Sequence, residues 1–241
     1  MVVILHISGS PASGKSTLCR VLMRLCSKKN IKFLYLSMTG FHYLSYAYAV
    51  LLLNLIYFLK EKRRVKMLKH VKVYRRHPYD LIPMGFLRKH LFLIYMFEVL
   101  SMCVKLLIMR LKISLQRPKI VLIDEGAVNV AFNYIAFFFM RNSMLWKPML
   151  RYFLTFSRPI CRNCFIMLLT PNMNAELNMW SRRGDFPSSY IAKVHIKAYR
   201  RALRPLLKLI YRYTGAKVYA FSNNIEALRF IIKHLHLGCD L

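Results

Sequence analysis

Apolar residues in this chain gather into five short runs that read as strands, at residues 2–8, 32–37, 119–124, 164–170 and 217–221. Turn-forming residues bound each run, and stretches with helical spacing follow. Continuous apolar character, as in Ile120-Val121-Leu122-Ile123, suits a strand covered on both faces. Strands alternating with helices predict an α/β domain with a parallel sheet and right-handed crossovers. Ligands of such sheets bind at the carboxyl ends of the strands, so the residues just after each run matter most. The connection 38–118 is too long for one crossover helix. It holds two apolar stretches, 41–59 and 91–111, separated by the basic segment 60–76 and a turn region at 78–83. One domain over 1–241 is expected, with a helical insert at 41–115 between the second and third strands.

The first run leads into Gly9-Ser10-Pro11-Ala12-Ser13-Gly14-Lys15-Ser16-Thr17, which fits GxxxxGK[ST] in full. Glycine permits positive φ and close backbone approach, so successive amides can converge on a phosphate. A helix opening at about Lys15 adds the positive end of its dipole. Lys15 is expected to reach the β- and γ-phosphates of ATP, and the Ser16 hydroxyl to ligate Mg2+. The metal also needs a carboxylate, and Asp124 closes the most apolar run in the chain. Next to it, Glu125 either deprotonates an acceptor hydroxyl or caps the following helix.

Two later segments carry further candidates. After the fourth run comes Trp180-Ser181-Arg182-Arg183-Gly184-Asp185. Guanidinium groups on a lid-like segment, 171–190, would neutralise charge on a transferring phosphoryl group; a solvated basic loop is the alternative. After the last run, Asn223 in Ser222-Asn223-Asn224 either lines an adenine pocket or caps the next helix.

Charge changes the picture of the partners. Against 39 Lys and Arg stand 9 Asp and Glu, a formal net of +30 in 241 residues. Such a surface seeks anions: nucleotide phosphates, nucleic acid or an anionic membrane. No zinc-finger or ribonucleoprotein motif accompanies the charge, and the basic residues are mixed with long aliphatic runs. Six cysteines, with only Cys161 and Cys164 at CxxC spacing, suit reduced thiols better than a zinc site. The first apolar run is too short for a secretory leader, so a cytoplasmic protein is expected. Residues 41–59 lack any formal charge and precede Lys60-Glu61-Lys62-Arg63-Arg64. They read as buried helices of a substrate-binding insert, as helices on the inner face of a membrane, or as a span. Against spanning, the returning stretch 91–111 carries Glu98, Lys105 and Arg110. His42, Arg88, His90, Tyr95 and Glu98 are candidate acceptor contacts, each equally open to a structural role.

These motifs resemble the P-loop nucleotide kinases, especially the thymidylate kinase and deoxynucleoside kinase group. The likeness rests on GSPASGKST at 9–17, VLIDEG at 121–126, SRRGD at 181–185 and SNN at 222–224. It implies a P-loop NTPase fold, a five-stranded parallel sheet in the order 2-3-1-4-5 flanked by helices, and a lid role for Arg182 and Arg183. Two departures stand out. Thymidylate kinases carry a DR pair after the corresponding strand, where this chain has Asp124-Glu125-Gly126, and their acidic acceptor motif is replaced by Met38-Thr39-Gly40-Phe41-His42. Thymidylate specificity is therefore not implied, and thymidylate kinase-like proteins are the nearer likeness.

The expected function is γ-phosphoryl transfer from ATP to a small-molecule acceptor, either a nucleotide or a glycan- or lipid-pathway molecule. The competing reading is a nucleotide-dependent regulator or membrane-associated switch. The chain has no NKxD or LSGGQ signature, which weakens the GTPase and transporter-ATPase versions of that alternative.

Overall fold

A computed structural model describes residues 2–10, 12–41, 43–58, 79, 82–141, 143–162, 164–183 and 189–234. Five strands, β1 (Val3–Gly9), β2 (Phe33–Ser37), β3 (Ile120–Asp124), β4 (Phe165–Leu169) and β5 (Lys217–Phe221), agree with the apolar runs to within one residue at each end. All pairings are parallel, in the order β2-β3-β1-β4-β5 that the resemblance implied. The register brings the carboxyl ends to one edge: Ile7 pairs with Asp124, Ser37 with Asp124, and Gly9 with Leu169.

By residue contacts the chain forms two compact units. The first comprises Met1–Thr39, Leu106–Phe132 and Leu154–Leu241, and it holds the sheet. Helix α1 (Lys15–Lys28) buries Leu18, Cys19, Leu22 and Cys26, an i, i+3/i+4 stripe, against Leu5 and Ile7 of β1 and Leu122 of β3. Four of the five described free cysteines, Cys19, Cys26, Cys161 and Cys164, are buried. At the middle of β1, His6 is fully buried; its Nδ1 accepts the Ala127 N–H at 3.3 Å and its Nε2 lies 3.7 Å from Cys161 Sγ. The polar ring is thereby satisfied inside an apolar layer.

The second unit comprises Gly40–Lys105 and Asn133–Phe153. Helices α2 (Leu44–Phe58) and α3 (Met84–Lys89) lie within it, while α4 (Leu91–Gln116), α5 (Ala127–Phe139) and α6 (Trp146–Cys161) each belong partly to the first unit and partly to this one. Aromatic rings fill its interior: Phe41 meets Tyr79, Tyr134 and Phe137 at centroid distances of 5.8, 5.4 and 4.4 Å. Glu98 lies among them, 1% exposed. Its Oε1 accepts the Phe41 N–H at 2.7 Å and the Tyr134 hydroxyl at 2.6 Å. Of the other insert residues named from the sequence, His90 Nδ1 sits 2.9 Å from the Tyr48 hydroxyl and Tyr95 packs edge-on to Phe138. Arg88 is exposed on α3, and His42 falls outside the described residues. One helix among the described residues, α4, is long and apolar enough to cross a membrane by length and composition.

Burial is the main influence on Glu98, raising its carboxyl from 4.5 to about 7 against the opposing pull of the Tyr134 and Phe41 hydrogen bonds. In the unfolded chain it ionises near 4.5, so between the two values only the folded state holds the proton. The resulting stability is complete below 4.5, falls as pH rises through that window, and is gone above about 7. Glu98→Gln keeps the shape without the charge. Urea midpoints measured across the same window should show a shallower decline for this variant than for the parent.

Candidate functional site

The glycine-rich loop joins β1 to α1 at the strand ends. Ala12 and Gly14 both take positive φ, 63° and 91°, so the backbone alternates in hand through the turn. That alternation points consecutive N–H groups to one side, the arrangement of an anion nest. A Cβ at Gly14 would lie 2.7 Å from Asn224 Nδ2, so both the dihedral and the space require glycine there. The Ser13 N–H donates to Ser10 O at 3.1 Å, and Thr17 and Leu18 begin α1 by donating to Gly14 O at 3.0 Å each. Lys15 is buried, and its Nζ donates to Gly9 O at 3.0 Å and Ser10 O at 2.8 Å. Pro11 falls outside the described residues.

The structure brings the two candidate metal ligands together. Ser16 Oγ donates to Asp124 Oδ2 at 3.3 Å, although 108 residues separate them. The same oxygen accepts the Tyr35 hydroxyl from β2 at 2.9 Å, while Asp124 Oδ1 accepts the Glu125 N–H at 2.8 Å. Burial, together with the Asp124 charge, pushes the Tyr35 phenol up, so it stays a donor at all ordinary pH. Glu125 itself is half-buried with φ 51°, a left-handed conformation that costs a non-glycine residue about 1 kcal/mol or more. Among the described residues no group of three or more His, Cys, Asp or Glu forms a metal cage. A hydroxyl beside one carboxylate instead suits magnesium, which keeps waters and substrate phosphate oxygens in its shell.

Three side chains that sequence reasoning did not single out fix the loop. Asn129, in the first turn of α5, accepts the Gly9 N–H at 3.0 Å and donates to Gly9 O at 2.6 Å. Its only sequence signal is a polar residue between Val128 and Val130 in an otherwise apolar run. Glu176, 1% exposed on α7 (Met173–Arg183), accepts the Ser10 hydroxyl and pairs with Arg200 Nη2 of α8 (Ser189–Thr214) at 3.2 Å. Asn224, opening α9 (Asn224–His234), donates to Gly14 O at 3.3 Å. Its neighbour Asn223, the residue expected at the nucleotide, accepts the Glu226 N–H at 2.9 Å and so caps α9.

The lid candidates lie on α7. Trp180, 4% exposed, packs on Ala12 of the loop. Arg182 is exposed on the last turn of the same helix, and Arg183 ends it. Residues 184–188 of the proposed lid fall outside the described residues.

No protein-family model and no curated protein matches this chain. Solved structures do. One is the deoxyadenosine kinase from M. mycoides with bound dATP, at TM-score 0.51 and 11% identity, covering 97% of this chain and 100% of that one. Another holds the same enzyme with products dCMP and a flexible dCDP, at TM-score 0.50 and 11% identity over 97% and 99% of the two chains. That likeness is one of fold. The five-stranded parallel sheet, with the glycine-rich loop after β1, is a fold that this chain shares with that deoxyadenosine kinase.

Asn129 bonds both polar groups of a buried glycine; Asn129→Ala takes this partner from the Gly9 N–H, while Gly9 O keeps Lys15 Nζ. The variant should lose about 1–3 kcal/mol of unfolding free energy in urea titrations. An unchanged midpoint would show that the clamp is idle.

Proposed function

We propose that this chain is an ATP-dependent phosphotransferase of the nucleoside and nucleotide kinase kind, acting in the cytoplasm. One observation carries the reading: a phosphate loop whose serine, Ser16, meets the strand-end carboxylate Asp124 at 3.3 Å, on a fold shared with a deoxyadenosine kinase. A loop of converging amides is a general polyphosphate cradle. With the fold, it favours transfer between small molecules.

In this reading Gly9, Ser10, Pro11, Ala12, Ser13, Gly14 and Thr17 contribute the cradle, and Lys15 swings from the loop carbonyls onto the β- and γ-phosphate oxygens. The acceptor hydroxyl oxygen bonds to the γ-phosphorus while the bond to the ADP oxygen breaks. Glu125, held in a left-handed backbone conformation beside Asp124, takes the acceptor proton. Arg182 and Arg183, at the end of a helix anchored to the loop by Trp180, supply positive charge to the equatorial oxygens. Ser16 and Asp124 would hold magnesium, which neutralises phosphate charge when bound. Tyr35 keeps Asp124 in position. For the acceptor we favour a nucleoside or nucleotide other than thymidylate, because the segment after β2 lacks an acidic residue.

The test is ADP release with nucleosides, nucleotides, sugars and polyprenols offered in turn. A nucleoside or nucleotide should stimulate it; ATP binding with no stimulation by any acceptor would favour the regulator instead. Lys15→Ala should slow transfer by about 10²–10³-fold with the melting profile retained. Asp124→Asn should raise the magnesium concentration needed for half-maximal rate by about tenfold or more.

A further inference from the structure

Helix α4 is apolar on all sides, yet the protein covers only one of them. Ile94, Tyr95, Met102, Leu106 and Met109 are buried, along with Glu98. On the other side Phe92, Met96, Leu100, Val104, Leu107 and Leu111 are 43–63% exposed. At 100° per residue these six fall within an arc of about 120°, and the helix extends for about 39 Å. A long stripe of large exposed hydrophobic side chains has a cost in water that scattered ones do not, and marks a contact surface. A helix that is hydrophobic all round belongs in an interior or against lipid.

We propose that this stripe docks on an anionic lipid bilayer, with α4 lying in the interface plane. Charge decides the occupant. The stripe is bracketed by exposed basic residues, Arg88 and Lys89 before it and Arg110, Lys112, Arg117 and Lys119 at its far end. The only acid on the helix, Glu98, points to the buried side. With a net charge of +30, two copies meeting face to face would repel, whereas anionic headgroups attract. A spanning orientation is disfavoured because the opposite face is already packed in protein and carries Glu98 and Lys105. Insertion to the depth of one helix face, with basic residues at headgroup level, buries the exposed side in lipid while the other side stays packed in protein. This docking requires no catalysis, so it stands or falls apart from the phosphotransferase reading.

The full chain should co-sediment with phosphatidylglycerol–phosphatidylcholine vesicles at low salt, and much less with phosphatidylcholine alone. Leu100→Glu/Leu107→Glu should weaken that association by about tenfold or more while far-ultraviolet dichroism stays unchanged. As a second readout, the tryptophan of Leu100→Trp should shift its emission to the blue when anionic vesicles are added. Three results would overturn the proposal: a parent chain that stays in the supernatant, a double Glu variant that binds as well as the parent, or a lipid-free dimer that the same variant dissociates. Absence of a blue shift in the tryptophan variant would overturn it too.

Discussion

A phosphate loop asks its backbone to do something that chains resist. Ala12 and Gly14 must sit in the left-handed region so that neighbouring amides converge, and converging amides repel one another when no anion is present. Packing around the loop opposes its relaxation. Asn129 holds Gly9 at the entrance, Glu176 holds Ser10, Trp180 covers Ala12, and Asn224 holds Gly14 at the exit. Each contact comes from a different place in the chain, so the loop keeps its shape only while α5, α7 and α9 are docked on the sheet. Folding of the first unit and preorganisation of the site are the same event.

This explains which parts were legible in the sequence. The strands were, because two-sided burial in a parallel sheet leaves unbroken apolar runs such as residues 120–123. The Gly9 to Thr17 loop stands out because its pattern is local, and Asp124 because it closes such a run; the structure brings Asp124 to Ser16. The supporting contacts were not legible. Asn129, Glu176 and Asn224 lie 120, 166 and 210 residues from their partners, and no periodicity links positions so far apart. Sequence alone cannot say which of two adjacent amides caps the helix and which turns to the loop: Asn223 caps α9 and Asn224 reaches Gly14. Helix α6 is less legible for another reason: Pro148 sits in its first turn, where proline is tolerated, but Pro159 reads as a breaker, and the helix nonetheless runs to Cys161.

Within the second unit the apolar content of the insert has two destinations. Phe41, Tyr79, Tyr134 and Phe137 close around Glu98, an aromatic interior organised by one carboxylate. Much of the rest faces outward, along α4 and also at Leu51, Leu55 and Phe58 of α2, and this outward share distinguishes α4 from an ordinary core helix. Composition alone could not separate the two, since both faces read as leucine, methionine and phenylalanine.

The acids have a consequence of their own. Of nine in the chain, Glu98, Asp124 and Glu176 are buried, each already engaged with a backbone amide, a hydroxyl or Arg200. Nine acids against 39 lysines and arginines leave a polycation that cannot neutralise itself. Its self-repulsion is relieved by counterions alone, which ties its compactness to ionic strength and makes dilute, salt-free solution its least hospitable medium.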